Sequence, residues 1–315
     1  STLLGTLPVS LFLASSGQIT SAQAALSVML SMSMVTSLGQ IEVFMNSIKE
    51  VQLTVEELQT YLEMPELPEP EKPAALRDCS VELKKVHFSY SKDSGDVLRG
   101  IDLRLPAGSF TALVGPSGGG KSTVARLIAR FWDVTEGEIL VGGVKITDMP
   151  LSQLSDTVSF VTQDNFLFRC SLKENIRLGN PAASDSEVYA AARAAQCDEF
   201  IRKLPQGYDT PAGEAGKRLS GGEKQRIAIA RMILKNAPVV IMDEATAFTD
   251  PENEDKIQRS ISALTKGKTL LVIAHRLSTI RDADNIVVLK NGRIEAQGKQ
   301  EELLETCPLY RKMWE

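Results

Sequence analysis

Residues 115–123 contain four glycines, one lysine and several hydroxyl side chains in an arrangement that can bind phosphate. They fit the pattern G-x-x-x-x-G-K-[ST]. Glycines let the backbone curl so that successive N–H groups point at phosphate oxygens. Lys121 can reach the β- and γ-phosphates, and the Ser122 hydroxyl can ligate Mg²⁺. The candidate nucleotide-binding residues of this stretch are Gly115, Pro116, Ser117, Gly118, Gly119, Gly120, Lys121, Ser122 and Thr123.

The segments around this stretch supply the context that the pattern requires. Residues 110–114 are short, apolar and rich in residues that favour strands, so we predict a buried strand. Residues 124–130 favour a helix, whose N-terminus adds a partial positive charge next to the glycines. A plain glycine-rich turn is the alternative, but strand, loop and helix in this order favour a phosphate-binding loop.

Two acids end a second apolar segment, residues 238–244. A carboxylate at the carboxyl end of a parallel strand beside a phosphate-binding loop can hold Mg²⁺, and we assign that role to Asp243. Glu244 is then one residue closer to the γ-phosphate and can polarise the attacking water. The alternative is an acidic strand end that faces solvent.

Three further predicted strands end in side chains that suit the same site. His275 follows residues 269–274 and can hydrogen-bond the γ-phosphate and position Glu244. Gln163 follows residues 158–162, and its amide oxygen can complete the ligand shell of Mg²⁺. Tyr90 can stack on an adenine ring. The alternatives are that His275 has only a structural role, that Gln163 lies on the surface, and that Tyr90 only packs against its neighbours.

The segment 219–223 opens a predicted helix over residues 224–235. Ser220 and Glu223 have the spacing of a capping box. The exposed Ser220, Gly221 and Gly222 at a helix N-terminus also form a candidate second anion site. Both interpretations can hold together.

The chain has 315 residues, enough for about two domains. Its net charge of −5 gives no indication of a nucleic-acid partner. Its four cysteines form no C-x-x-C pair, so a zinc site or a disulfide framework is not expected and a reducing cytosolic setting fits. The predicted strands and helices indicate an α/β nucleotide-binding domain, with an Asn291–Gly292 hairpin of type I′ near its end.

Residues 1–41 contain no charged side chain. Residues 22–44 are long enough to span a lipid bilayer, whereas residues 3–14 are too short and are expected to be the end of a truncated span. A buried helix of a soluble protein is the alternative. Small residues at helical spacing would let membrane helices approach closely, namely Ser27, Ser31, Ser33 and Ser37.

The helical pattern continues to Leu62, and prolines from residue 65 to residue 73 end it. The proline-rich stretch is predicted to be an extended linker. We therefore expect membrane helices in residues 1–63, a linker in residues 64–78 and a nucleotide-binding domain in residues 79–315. Because the chain begins inside an apolar run, we expect it to be the C-terminal part of a longer polypeptide.

The ordered set of these motifs resembles the ATP-binding cassette (ABC) transporters over roughly residues 79–315. In that family they are the aromatic loop, Walker A, Q-loop, signature, Walker B, D-loop and switch histidine, here at Tyr90, 115–123, Gln163, 219–223, Asp243-Glu244, Asp250 and His275. The resemblance implies a P-loop NTPase cassette with an antiparallel β subdomain and a helical subdomain. It also implies ATP and Mg²⁺ as cofactors, and a second half-transporter subunit that sandwiches each ATP head to tail.

Membrane helices followed by a cassette resemble the exporter-type fold, as does the segment 204–216 before the signature. In that subfamily the segment around Glu214 touches the cytoplasmic loops of the membrane domain. The resemblance implies a multi-pass protein of the inner (plasma) membrane with its ATP-binding domain in the cytoplasm. Residues 22–44 would then be the last of six membrane helices.

Two positions depart from the usual family pattern. Glu223 stands where glutamine is usual in the signature, a variant that we do not expect to disable it. The D-loop has Phe248 and Thr249 before Asp250, and residues 244–254 look like the mycobactin- and yersiniabactin-type iron–siderophore importers, which have the exporter fold and work as heterodimers. Phe248 is expected to change packing between cassettes.

These patterns lead to one leading hypothesis, an ATP-hydrolysing subunit of a membrane transporter with ferric siderophore as a possible substrate. Export of lipid, drug or peptide is the alternative within transporters. Two alternatives are not ATP-hydrolysing transporter subunits: a soluble cassette ATPase, and a regulatory cassette that binds ATP without turnover. The uncharged N-terminal residues argue against the first, and intact Glu244 and His275 argue against the second.

Overall fold

The computed structural model describes residues 2–63, 67–91, 95–161, 166–213, 216, 219–243, 251–274, 280 and 282–314. The chain divides into two compact units, Ser1–Leu67 and Pro68–Glu315.

The first unit contains two helices, α1 (Thr2–Ser15) and α2 (Ser21–Leu62). Thr20 begins α2 with a capping box in which its hydroxyl accepts from the Gln23 amide. Two hydroxyl pairs link the helices, Thr6 to Ser31 and Ser10 to Ser27, each with an oxygen–oxygen distance of 2.9 Å. Both serines of α2 belong to the row of small residues that the sequence analysis singled out, and they let polar groups pair within an apolar surface.

In the described part of the chain, α2 alone is long and apolar enough to cross a membrane, with a mean hydropathy of 1.4 in its most apolar window. Its 42 residues correspond to about 63 Å of helix, roughly twice the thickness of a bilayer's hydrocarbon core. The charged side chains all lie in its second half, from Glu42 onward. The prediction that one helix continues past the apolar segment to Leu62 is confirmed.

The second unit contains two sheets. The first is antiparallel, with the order β2-β1-β4-β5. Its strands are β1 (Val81–Phe88), β2 (Leu98–Leu105), β4 (Glu136–Val141) and β5 (Val144–Lys145). The second sheet has the order β10-β9-β3-β8-β7-β6 and is parallel except for the β9–β10 pair. Its strands are β3 (Phe110–Val114), β6 (Val158–Val161), β7 (Val239–Asp243), β8 (Thr269–Ile273), β9 (Asn285–Lys290) and β10 (Arg293–Gly298).

The strands that lie between helices are continuous apolar runs, because both faces of a parallel sheet are covered. All four apolar residues of β7 are buried, for example. The β9–β10 turn has φ angles of 50° at Asn291 and 75° at Gly292, as a type I′ turn requires, so the predicted hairpin is confirmed.

Helices cover the second sheet and form a separate helical subdomain. The subdomain packs α5 (Leu172–Arg177), α6 (Asp185–Ala194) and α7 (Asp198–Arg202) around α8 (Gly221–Lys235). The remaining helices are α3 (Lys121–Ile128), α4 (Leu151–Thr157), α9 (Pro251–Thr265), α10 (Gln300–Thr306) and α11 (Pro308–Trp314). The predicted fold class is confirmed: a P-loop α/β domain with an antiparallel β subdomain and a helical subdomain, preceded by helices.

Most of the segment that the sequence predicts to be a linker lies along the second unit. The Pro68 carbonyl accepts from Arg130 Nη2 at 2.7 Å, and Glu69 Oε2 accepts from the Leu151 amide at 2.8 Å. Ala74 pairs through both its N–H and its C=O with the side chain of Gln153. Residues 64–66 lie outside the described part of the chain, and the boundaries at residues 63, 64 and 79 remain a prediction.

Arg130 lies two residues beyond the end of α3 and has a fully buried side chain. Its guanidinium pairs with Asp133 at 2.8 Å and donates to the carbonyls of Pro68 and Ile146. A buried guanidinium must be satisfied by acceptors, and the chain backbone at Pro68 supplies one. The proline-rich segment is therefore held by a residue just beyond the helix that follows the phosphate-binding loop.

We expect Arg130→Met to destabilise residues 68–315 by about 2 kcal/mol, because the buried Ile146 carbonyl loses this donor and the ion pair with Asp133 is removed. Thermal unfolding of this unit measures the change. Arg126→Met, on an exposed site of α3, is the matched control and is expected to change stability little. Equal effects of the two substitutions would contradict the assigned role of Arg130.

Candidate active site

The second sheet brings the carboxyl ends of β3, β6, β7 and β8 to one edge. Leu113 pairs with Ile273, and Ile273 pairs with Asp243, so these three residues lie at one level across the sheet. At about 4.8 Å per strand, Asp243 lies two strands away from the strand that leads into residues 115–123. Ligands of open α/β sheets bind outside this edge.

The phosphate-binding loop has a backbone that requires glycine at Gly115. Its φ angle is 145°, and a Cβ atom there would lie 1.9 Å from the Leu289 carbonyl oxygen of β9. Gly120 ends the loop with φ 99°, and α3 begins at the next residue. The predicted order of strand, loop and helix is confirmed, and the helix N-terminus faces the loop as an anion site requires.

Lys121 lies at the start of α3 and is only 5% exposed. Its Nζ donates to the carbonyls of Gly115 at 2.8 Å and Pro116 at 3.0 Å. The loop thus encloses the ammonium group at the level where the curled backbone turns its N–H groups toward a ligand. This cradle fits a phosphate, because the carbonyl oxygens of the loop hold the cation in place beside the backbone N–H groups of the same loop.

Tyr90 lies next to the helix of the phosphate-binding loop. Its hydroxyl is 2.9 Å from the Thr123 hydroxyl. Its ring meets Phe88 and Trp132 in edge contacts with centroid distances of 4.9 and 5.2 Å. The side chain is nevertheless 47% exposed. The two interpretations of Tyr90 are therefore compatible: it packs through its edge and tip, and enough of it stays exposed to stack on a flat ring.

The hairpin turn at Asn291–Gly292 supports the same loop, a contact that the sequence did not indicate. The Gly292 amide donates to the Gly119 carbonyl at 3.2 Å, and the Gly292 carbonyl accepts from Arg99. A Cβ at Gly292 would lie 2.2 Å from the Val97 carbonyl oxygen. The type I′ signal was readable in the sequence, but the partner of the turn depends on strand order.

Ser220, Gly221 and Gly222 lie at the N-terminus of α8, with the first two exposed. The predicted capping box is confirmed. The Ser220 hydroxyl accepts from the Glu223 amide, and Glu223 Oε2 accepts from the Ser220 amide at 2.8 Å. Glu223 therefore makes the capping hydrogen bond that a glutamine would make at this position. This fits the expectation that glutamate in place of the usual glutamine does not disable the signature.

Several candidate residues lie outside the described part of the chain, namely Gln163, Glu214, Glu244, Phe248, Asp250 and His275. The strands that precede three of them are described. β6 ends two residues before Gln163, β7 ends directly before Glu244, and β8 ends two residues before His275. The roles of these side chains remain predictions.

The described residues offer oxygen ligands for a hard cation. Ser122 supplies a hydroxyl at the second position of α3, and Asp243 supplies a carboxylate at the end of β7. Within the described ranges, no group of three or more histidine, cysteine, aspartate or glutamate side chains could hold a metal ion by itself. Magnesium at phosphate sites is held by one or two protein oxygens together with substrate phosphates, so this donor set fits it.

All four cysteines are free and form no disulfide. Burial raises the pKa of the Cys170 thiol and, more strongly, that of Cys197. Both thiols are therefore protonated near neutral pH and unsuited to nucleophilic chemistry.

Comparison with known proteins agrees with this geometry. Residues 98–247 match the protein family described as ABC transporter. The putative multidrug export ATP-binding/permease protein of Staphylococcus aureus (strain NCTC 8325 / PS 47) is 45% identical over 243 residues, which cover 77% of this chain and 42% of that protein. Its counterpart in the bovine strain RF122 / ET3-1 matches to the same extent. The matched segment thus covers less than half of these relatives.

A bacterial Atm1-family ABC exporter, whose structure was solved with ATP bound, superimposes on 99% of this chain with a TM-score of 0.78 and 38% identity. The match covers 55% of that protein. The predicted resemblance of residues 244–254 to iron–siderophore importers is not confirmed by these relatives, which are described as exporters. Residues 98–247 therefore match an ABC transporter ATP-binding domain, and the relatives named here are described as exporters.

Proposed function

We propose that this chain is the ATP-hydrolysing part of a membrane ABC exporter, and that ATP binding and hydrolysis drive the passage of a substrate out of the cell. The observation that carries the proposal is the enclosed Lys121 ammonium in the loop that follows β3, at the edge of the parallel sheet where Asp243 ends β7. The ATP-bound structural relative supports ATP as the nucleotide.

In this proposal the phosphate-binding loop orients the triphosphate before any bond breaks. The N–H groups of residues 115–123 and the Lys121 ammonium hold the β- and γ-phosphates, and Tyr90 stacks on the adenine. Ser122, Gln163 and Asp243 are the residues that would hold magnesium. A bound Mg²⁺ supplies neutralisation of the phosphate charge.

Glu244 and His275 act on the hydrolysis step itself. The Glu244 carboxylate accepts a hydrogen bond from the attacking water and raises its nucleophilicity. The His275 ring donates to the γ-phosphate and keeps Glu244 oriented toward the water. Transfer of the γ-phosphoryl group to this water leaves ADP and inorganic phosphate, and Lys121 stabilises the charge that develops on the transferring oxygens.

A second half-transporter subunit, identical or different, completes each ATP site. Residues Ser220, Gly221 and Gly222 of one subunit contact the phosphates bound by the other, because an exposed helix N-terminus with glycines offers N–H groups to an anion. The helix α2 anchors the chain in the plasma membrane as one of several spans, with the cassette in the cytoplasm.

Export is the direction favoured by the relatives, which are described as multidrug export proteins and as an Atm1-family exporter. Ferric-siderophore import rests only on residues 244–254, and it gains no support from these relatives. A soluble cassette ATPase is disfavoured by the apolar α2 and by the structural match, which extends across the N-terminal helices.

The test uses the full-length gene product in inside-out membrane vesicles, to which the dye Hoechst 33342 and MgATP are added from outside. We expect ATP-dependent movement of the dye into the vesicle lumen, and its loss in the Glu244→Gln variant, which is expected to bind ATP and stall. A parallel assay follows ferric yersiniabactin uptake by iron-starved cells. Siderophore uptake that depends on Glu244, without dye export, would overturn the direction proposed here.

A further inference from the structure

Asn175 is a polar residue that is fully buried in the short helix α5. Its Oδ1 accepts from the Phe168 amide at 2.9 Å. Its Nδ2 donates to the carbonyls of Phe168 and Ser171, each at 3.0 Å. A single side chain thus holds the backbone of residues 168–171 from both its donor and its acceptor ends.

Arg231 reaches the same place from the signature helix α8. Its Nε donates to the Asn175 carbonyl at 2.6 Å and its Nη2 to Asn175 Oδ1 at 2.6 Å. Its Nη1 donates to the Phe166 carbonyl at 2.8 Å. Each of these bonds joins α8 to residues 166–175, and such charge-assisted bonds are stronger than bonds between neutral groups.

The backbone around Asn175 and Arg231 is packed too closely for α5 to slide along α8. A Cβ at Gly179, just beyond α5, would lie 2.1 Å from the Arg231 carbonyl oxygen. On the other side of the segment, the Leu172 amide donates to the Thr210 carbonyl at 3.0 Å and the Ala212 amide to the Cys170 carbonyl at 3.1 Å. Residues 166–171 are therefore fixed to α8 and to residues 210–212 at the same time.

Arg231 lies on the same continuous helix as Ser220, about 16 Å along its axis. A hydrogen-bonded helix of this length moves as one body, so a displacement at its N-terminus also displaces Arg231. Phe166 and Phe168, whose carbonyls the pair holds, have exposed side chains. The segment that Arg231 and Asn175 hold, residues 166–171, thus presents side chains at the protein surface.

We propose that Asn175 and Arg231 are positioning residues that couple residues 166–171 to α8. Contact of ATP with Ser220–Gly222 then also changes the position and the hydrogen-exchange protection of residues 166–171. The coupling rests on the proposed function, because it takes ATP contact at the α8 N-terminus as its input. Arg231 lies about three helical turns from Ser220 on α8 and bonds directly to Asn175 of α5, so both residues act through α8 and not through their own contact with nucleotide.

The first measurement is amide hydrogen exchange of the nucleotide-free full-length protein. In the Arg231→Met variant we expect the amides of residues 166–171 to exchange about tenfold faster, as the loss of a hydrogen bond of typical strength implies. Exchange in β3, β7, β8 and β9 is expected to stay unchanged.

Two further variants serve as controls. Arg231→Lys keeps a cationic donor group, so the exchange rate of residues 166–171 in this variant is expected to lie between the rates of Arg231→Met and of the native protein. Arg177→Met, which removes an arginine of α5 that pairs with Glu174 and Asp185, is the matched control and should leave residues 166–171 as they are.

The second measurement repeats the experiment with MgATP in the Glu244→Gln background, where hydrolysis is expected to stall. With Arg231 present, ATP should slow exchange at residues 219–223 and at residues 166–171 together. With Arg231→Met, protection should remain at residues 219–223 and disappear at residues 166–171. A variant that is merely less stable would lose both.

The outcomes separate the coupling from the function on which it rests. Protection of both segments in the Arg231→Met variant overturns the coupling and leaves the proposed function intact. Absence of ATP protection at residues 219–223 in every variant, including the one with Arg231 present, overturns the ATP contact and the coupling with it. Unchanged exchange of residues 166–171 in nucleotide-free Arg231→Met overturns the positioning role itself.

Discussion

Replacing Lys121 with methionine is expected to lower the ATPase rate at least about 100-fold, because it removes a preorganised donor to the transferring phosphoryl group. Methionine has nearly the same length as the lysine stem, so it can occupy the same buried channel. What it cannot do is donate to the Gly115 and Pro116 carbonyls, which the native ammonium contacts at 2.8 and 3.0 Å. The loss of these two hydrogen bonds is expected to lower stability, whereas the loss of the charge lowers the rate, so the fold and the rate are measured separately.

Phosphate release by the full-length protein measures the rate, and far-ultraviolet circular dichroism checks the fold. Lys84→Met is the matched control, because Lys84 lies on the surface of β1 and pairs only with exposed or half-buried Glu82 and Glu138. It is expected to keep the native rate. Turnover of Lys121→Met near that of the control would remove Lys121 from the assigned role and, with it, the main support for the nucleotide site.

The phosphate-binding loop was predictable because its constraints are local. Gly115, Gly118 and Gly120 all have positive φ angles, and the apolar runs on both sides form the strand and the helix that the pattern requires. The capping box at Ser220 and the Asn291–Gly292 turn are likewise set by residues close together in sequence. In each case a backbone conformation or a short-range hydrogen bond dictates the residue type.

Contacts between distant segments were not predictable from the sequence. The proline-rich composition indicated an extended linker, and residues 68–78 indeed form no helix or strand. Its attachment to the cassette depends on Arg130, whose buried guanidinium finds an acceptor 62 residues earlier in the chain. The contact between Arg231 and Asn175 was unpredictable for the same reason, since the two residues are 56 positions apart in the sequence. A polar residue inside an apolar helical run was the available signal, but it does not identify the partner.

The closest packing at the site predicts a large effect on stability. In the Gly115→Ala variant, the added Cβ would lie 1.9 Å from the Leu289 carbonyl oxygen, which belongs to a neighbouring strand and cannot turn away. The φ angle of 145° is also one that alanine rarely adopts. We expect a loss of about 3 kcal/mol or more in the free energy of unfolding, because steric overlap and backbone strain add. Urea unfolding of residues 68–315 without nucleotide measures it.

Gly118→Ala separates the two causes within the same loop. Gly118 also has a positive φ angle, 76°, but nothing lies within 4 Å of the position that its Cβ would take. Its substitution should therefore cost only the left-handed backbone strain of about 1–2 kcal/mol. If the two variants lost the same stability, the approach of β9 to Gly115 would not be a constraint on the loop. A larger loss for Gly115→Ala means that β9, which pairs with β3, fixes the conformation of the loop before any nucleotide binds.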